Sequence, residues 1–147
     1  MSSRRPLAPI PSFVEFVLLI AVVMGMTALS IDNLLPAFGA VQTQFAIRSA
    51  NELQLLVTAY MIGFGVMQLV YGPVSDIVGR KPILIVGLTI YTMGCLLAIF
   101  ATSYDMLLTA RVIQGLGAAS GRVLAVTIVR DRFEGREMAR VMSLTMV

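Results

Sequence analysis

The stretch GPVSDIVGRKPIL, residues 72–84, is a polar hinge carrying Asp76, Arg80 and Lys81 and bracketed by Gly72-Pro73 and Pro82. An apolar run of about twenty residues flanks it on each side, the length needed to cross a bilayer. The hinge therefore belongs in water between two membrane spans. Its basic pair places it on the cytoplasmic side, because positive residues in short loops resist translocation.

Composition agrees with a membrane protein. Of 147 residues, 58% are hydrophobic and 13% charged, with a mean hydropathy of +0.89, outside the range of a soluble domain. The sequence pI of about 9.5 would suit nucleic-acid binding if the basic residues formed a patch. They sit instead at the ends of apolar runs, so the charge reads as topology, and no nucleic-acid partner is expected. Cys95 is the single cysteine and histidine is absent, which argues against a disulfide framework or a Cys/His metal site. No metal or cofactor is expected, and Cys95 reads as a packing residue.

Working outward from the hinge gives an all-α membrane protein with four spans and part of a fifth. Residues 1–12 form a basic cytoplasmic leader, and residues 13–147 form the partial helical unit. The expected spans are 13–38, 52–71, 82–101 and 105–129, with an incomplete fifth over 138–147. The segment 39–50 is a polar connection on the outside. Asn51 or its neighbourhood caps the second helix, with Glu52 in its first turn, and Ser103 caps the fourth. Positive charge tests the orientation. Arg4, Arg5, Arg80, Lys81, Arg130, Arg132, Arg136 and Arg140 fall inside, whereas only Arg48 falls outside. The amino terminus is therefore expected in the cytoplasm of a cell whose cytoplasmic membrane holds the chain.

Three ionisable residues remain within the spans: Asp32, Arg111 and Arg122. Each costs about 2.5 to 3.5 kcal/mol on insertion scales, so each is a functional candidate. Asp32 and Arg111 both lie roughly 9 Å below the outer surface, which predicts a carboxylate and a guanidinium in one layer, paired if their helices face a common cavity. Pro36 has no N–H for the Asp32 carbonyl, so the helix should bend there and leave a polar oxygen beside the carboxylate. Arg122 lies about 16 Å deeper than Arg111; it either faces the cavity or snorkels to the inner headgroups.

On the fourth span Arg111, Gly115, Ala118 and Arg122 form one stripe whose small middle leaves room for ligand or water. Gly117 and Gly121, four apart, suit close helix packing. On the second span Tyr60, Phe64, Met67, Gln68 and Tyr71 share a face, which is either a packing stripe or a soft wall of a drug cavity. Asn33 beside Asp32 joins the candidate lining. At the hinge, Asp76 can pair with Arg80 or with the basic last loop, and Asp131 with Arg80 or Lys81. Those pairs are expected to latch the cytoplasmic helix ends in one transport state.

The hinge resembles the signature of the major facilitator superfamily, G-x-L-A-D-R-x-G-R-K-x-x-L. Gly72, Asp76, Gly79, Arg80, Lys81 and Leu84 match it, and Ile77 stands where Arg is usual. The run Arg111-Val-Ile-Gln114-Gly115-Leu-Gly117 is similar to the R-x-x-Q-G-x-G pattern of proton-driven members, which implies a part for Arg111 and Gln114 in proton coupling. Asp32-Asn-Leu-Leu-Pro36 looks like the D-x-x-x-P end of the first helix in twelve-span drug:proton antiporters, and Gly121-Arg-Val with Ile128-Val-Arg-Asp131 is similar to the bicyclomycin-resistance-like branch.

The resemblance implies the amino-terminal part of a twelve-span transporter that exports drug-like small molecules against protons. Its missing carboxy-terminal half would be a partner for Asp76. The other classes are a stand-alone four-span protein that dimerises and an inactive truncated product. No enzymatic constellation or phosphate loop is present in the sequence, so the energy source is expected to be an ion gradient.

Overall fold

In a computed structural model the chain is described over residues 13–32, 34–47, 49–132, 135–136, 138–139 and 143. Five helices account for most of these: α1 (Phe13–Asp32), α2 (Leu34–Phe45), α3 (Ala50–Val78), α4 (Arg80–Ile99) and α5 (Tyr104–Arg132). No strand occurs among the described residues. The leader at 1–12 lies outside the described residues, as does most of the expected fifth helix at 138–147.

Among the described residues three helices are long and apolar enough to cross a membrane: α3, α4 and the Tyr104–Asp131 part of α5. The first expected span is helical over α1, which has 20 residues, about 30 Å of helix and so about one hydrocarbon thickness, and again over α2, which carries Pro36; Asn33, between them, lies outside the described residues.

The ends of the helices differ from expectation in two places. The outer segment read as polar connection, 39–50, stays helical to Phe45. The reason is its apolar edge: Phe38, Val41 and Phe45 pack on a cluster of Leu34, Ile47, Leu53, Leu56, Ala101 and Leu107. At the hinge, α3 runs through Gly72 and keeps Pro73 inside the helix, ending only at Val78. Gly79 alone separates α3 from α4, at φ 100° and ψ 161°, a conformation essentially confined to glycine. Its N–H still reaches the Ser75 carbonyl at 3.1 Å, so the chain turns with almost no loop. Local capping follows the sequence. The Ser49 hydroxyl accepts from the Asn51 N–H at 3.2 Å, and the Ser103 hydroxyl accepts from the Met106 N–H at 3.2 Å.

Helix α5 is the hub. Half of its span is buried within the chain, against 22% for α3 and 17% for α4, and α1, α3 and α4 all pack on it. Small residues make this possible. A side chain at Gly115 would run into the Tyr60 carbonyl of α3, and one at Gly63 into the Val112 carbonyl of α5, so the two glycines face each other's helix across one seam. Gly117 lies against the Tyr91 backbone of α4, and Gly87 of α4 lies against Ser120. A side chain at Gly121 would meet the Val23 side chain of α1 at 3.0 Å. Between lipid-embedded helices, where apolar surface gains little by leaving hydrocarbon, such close approach carries the association.

Candidate functional site

Around Arg111 the helices bring together a polar cluster within an otherwise apolar bundle. From α1, the Ser30 hydroxyl lies 2.6 Å from the Tyr91 hydroxyl of α4. Nη1 of Arg111 on α5 approaches the Ser30 carbonyl oxygen at 3.5 Å. A backbone carbonyl of α1 thus serves as an acceptor for the guanidinium at this level of the bundle. One turn deeper, Gln114 is buried at 6% exposure and its Nε2 donates to the Cys95 thiol at 3.6 Å. Tyr60 of α3, 2% exposed, places its hydroxyl beside Ser30, Tyr91, Cys95 and Arg111. Its hydroxyl and Nε of Arg111 are buried without a hydrogen-bond partner among the described residues.

Asp32 is placed differently from the expected pair. Its side chain is exposed on this chain, and among the described residues the ion pairs are those of Arg80 with Asp76 and Asp131. Arg111 thus contacts α1 through a backbone carbonyl, two residues before the carboxylate that sequence spacing pairs with it. Asn33 lies outside the described residues. Arg122 is exposed.

The stripe on α5 does not form one open wall. Gly115, expected to line a cavity, is the point of closest approach between α3 and α5, because only a residue without a side chain lets the Tyr60 carbonyl come so near. Ala118 does line a cleft of about 20 Å³ together with Val23, Leu88, Tyr91, Gly117, Ser120 and Gly121, room for about one water. On α3, Tyr60, Phe64 and Tyr71 are buried in a cluster with Ile83, Ala119 and Leu124, and Met67 packs on it. The Tyr60 and Phe64 rings stack with centroids 6.1 Å apart. That face is mainly packing, with the Tyr60 hydroxyl as its polar tip; Gln68 is half-buried beside it.

At the Gly79 turn Arg80 gathers both candidate carboxylates. Nη1 lies 2.7 Å from Asp76, Nη2 lies 2.9 Å from Asp131, Nε donates to Asp131 at 3.1 Å, and Nη1 also donates to the Ser75 hydroxyl. Asp131 therefore takes Arg80 rather than Lys81, through the two-donor geometry that only a guanidinium offers. This ties the start of α4 to the last turn of α5 across the Gly79 turn. Lys81 is exposed.

Sequence reasoning singled out Arg111, Gln114 and Tyr60 but missed Ser30, Tyr91 and Ser75, and it read Cys95 only as packing. Hydroxyls are cheap within a helix and carry no charge signal. The usable hint was depth, since Tyr91 lies about eleven residues, roughly 16 Å, into α4 from Arg80.

An all-α bundle of apolar helices, hinged on a one-residue turn and holding a half-buried arginine at membrane depth, has the build of a multi-pass membrane transporter. The chain belongs to the Major Facilitator Superfamily, whose pattern matches residues 18–147. It is 37% identical over 134 residues to an uncharacterized MFS-type transporter of Bacillus subtilis, covering 88% of this chain and 33% of that protein. It is 34% identical over 131 residues to multidrug resistance protein D of Escherichia coli, covering 89% of this chain and 33% of that protein. A chloramphenicol resistance protein of Pseudomonas aeruginosa is 32% identical over 130 residues, covering 88% of this chain and 31% of that protein. The chain spans about a third of the length of these curated relatives.

Proposed function

We propose that this chain is the amino-terminal part of a twelve-span transporter that exports drug-like small molecules across the cytoplasmic membrane in exchange for protons. The amino terminus lies in the cytoplasm, and a second helical half is the partner about which the first rocks. The observation that carries the reading is the half-buried Arg111 with its guanidinium turned to the Ser30 carbonyl of α1. A guanidinium at that depth is costly to keep unless it does something. Two relatives named for multidrug and chloramphenicol resistance point to the class of cargo.

In this reading Asp32 and Arg111 are the coupling pair. Arg111 holds the Ser30 carbonyl of α1 while the neighbouring Asp32 takes and releases a proton, and the proton supplies the difference in free energy between inward-facing and outward-facing states that moves a ligand uphill. Arg80, Asp76 and Asp131 latch the cytoplasmic helix ends in the outward-facing state. Gln114 positions Arg111 through α5, and Arg122 lies on the cytoplasmic side of the same helix.

The test uses everted membrane vesicles containing the full-length gene product and a fluorescent lipophilic dye. Accumulation driven by an acidic interior is expected to stop when nigericin collapses the pH gradient and to be indifferent to replacing sodium with choline. Uptake that survives nigericin, or that needs sodium, contradicts proton coupling. Asp76→Asn is expected to slow transport and shift the population of inward-facing and outward-facing forms; an unchanged rate and population would remove the latch.

A further inference from the structure

At the Gly79 turn one neutral residue is buried among charges that are not. Ser75 is 1% exposed, whereas the side chains of Asp76 and Asp131 are 58% and 48% exposed. The Ser75 hydroxyl donates to the Gly72 carbonyl at 2.8 Å. That contact uses its only proton and leaves its lone pairs to accept from Nη1 of Arg80. The Ser75 carbonyl accepts the Gly79 N–H at 3.1 Å. Both acceptors of one α3 residue therefore hold the two residues that carry the chain into α4. The guanidinium is divided between two helices: Nη1 serves Asp76 and Ser75 on α3, while Nε and Nη2 serve Asp131 on α5.

We propose that Ser75 is a positioning residue: its buried hydroxyl sets the plane of the Arg80 guanidinium so that Nε and Nη2 meet Asp131. The proposal rests on the latch of the transporter reading above and goes beyond it by naming the neutral group on which the three charges depend. A guanidinium is planar and rigid, so an acceptor that fixes Nη1 also fixes the direction of the other donors. Asp76 is a poor fixed point for that purpose, because a solvated carboxylate gains little from an ion pair and holds its geometry weakly. Ser75 is a good one. Its hydroxyl is tied to the backbone of its own helix and shielded from competing water, and a hydrogen bond from a charged donor is stronger than one between neutral groups. The serine thus acts on the contact between α4 and α5 through Arg80.

The test reads the ratio of outward-facing to inward-facing forms, measured by distances between paired spin labels on the full-length protein in nanodiscs. It compares the wild type, Ser75→Ala, Asp131→Asn and the double variant. Ser75→Ala removes the acceptor and little volume from a helical position; Ser75→Cys, which keeps the volume but offers a weak acceptor, carries the test if the alanine variant is not monodisperse. Asp131→Asn is expected to lower the ratio by about two- to fivefold, the range of a partly exposed ion pair, and Ser75→Ala to lower it in the same direction by no more than that. The double variant is expected to match Asp131→Asn alone, since a residue that acts through a contact has no effect once the contact is gone. If Asp131→Asn lowers the ratio but Ser75→Ala does not, or if the two effects multiply in the double variant, the positioning role is overturned while the latch stands, and Ser75 is a packing residue. A ratio unchanged by Asp131→Asn overturns the latch and the positioning role with it.

Discussion

Two arginines of this chain have opposite surroundings. Arg80, at the Gly79 turn, has two carboxylates and a serine hydroxyl around it, with Asp76 and Asp131 both well exposed to solvent. Arg111, at membrane depth, has hydroxyls, a thiol and a backbone carbonyl around it and no carboxylate within ion-pairing distance among the described residues. Electrostatics alone would reverse the arrangement, since the desolvated cation needs a counter-charge more than the solvated one. Arg80 is paired, whereas Arg111 is left with capacity to interact, which is what the proposed coupling site demands.

The comparison can be broken first at the seam that holds the inner arginine in place. Gly115→Val puts a branched side chain where the Tyr60 carbonyl sits. It is expected to destabilise the protein by about 1 to 3 kcal/mol and to lower its melting temperature in detergent more than any substitution at the Gly79 turn. Next comes that turn itself. Gly79→Ala forces a Cβ into a backbone region at φ 100° and is expected to cost about 1 to 3 kcal/mol, read as a loss of stability and of transport rate together. The smallest effect belongs to the visible salt bridges. Asp131→Asn and Arg80→Gln, taken through a double-mutant cycle in thermal unfolding, should give a coupling of about 1 kcal/mol or less, because both carboxylates are more than a third exposed and solvent screens them. A coupling well above that would make Arg80, not Arg111, the energetically committed arginine.

How far the sequence carried these regions follows the same division. The Gly79 turn was legible because it is written in charges, glycine and proline at fixed spacing, and Asp76, Arg80 and Asp131 meet. What was misjudged there was length. Gly72-Pro73 reads as a helix end, yet α3 carries Pro73 and stops at Gly79, because a single glycine can make the whole turn. The membrane-depth site was legible only in part. Arg111 and Asp32 stand out as charges within apolar runs, and depth arithmetic placed them in one layer. It could not say which way each side chain turns, and Asp32 is exposed on this chain. The hydroxyls of Ser30 and Tyr91 come together from residues 61 apart in sequence, and no local pattern encodes that meeting. Gly115 shows the same limit, since a small residue serves equally to leave space or to let a neighbouring helix take it.

The central claim is that the proposed proton coupling runs through Arg111 and not through Arg80. Its most direct measurement compares pH-gradient-driven drug accumulation in proteoliposomes of the full-length protein carrying Arg111→Lys or Arg80→Lys, each normalised to the amount of folded protein. The account predicts that Arg111→Lys lowers accumulation at least about tenfold, the loss of one interaction made by a charged group, while Arg80→Lys retains most of it. Accumulation that survives Arg111→Lys, or that falls equally in both variants, would contradict it.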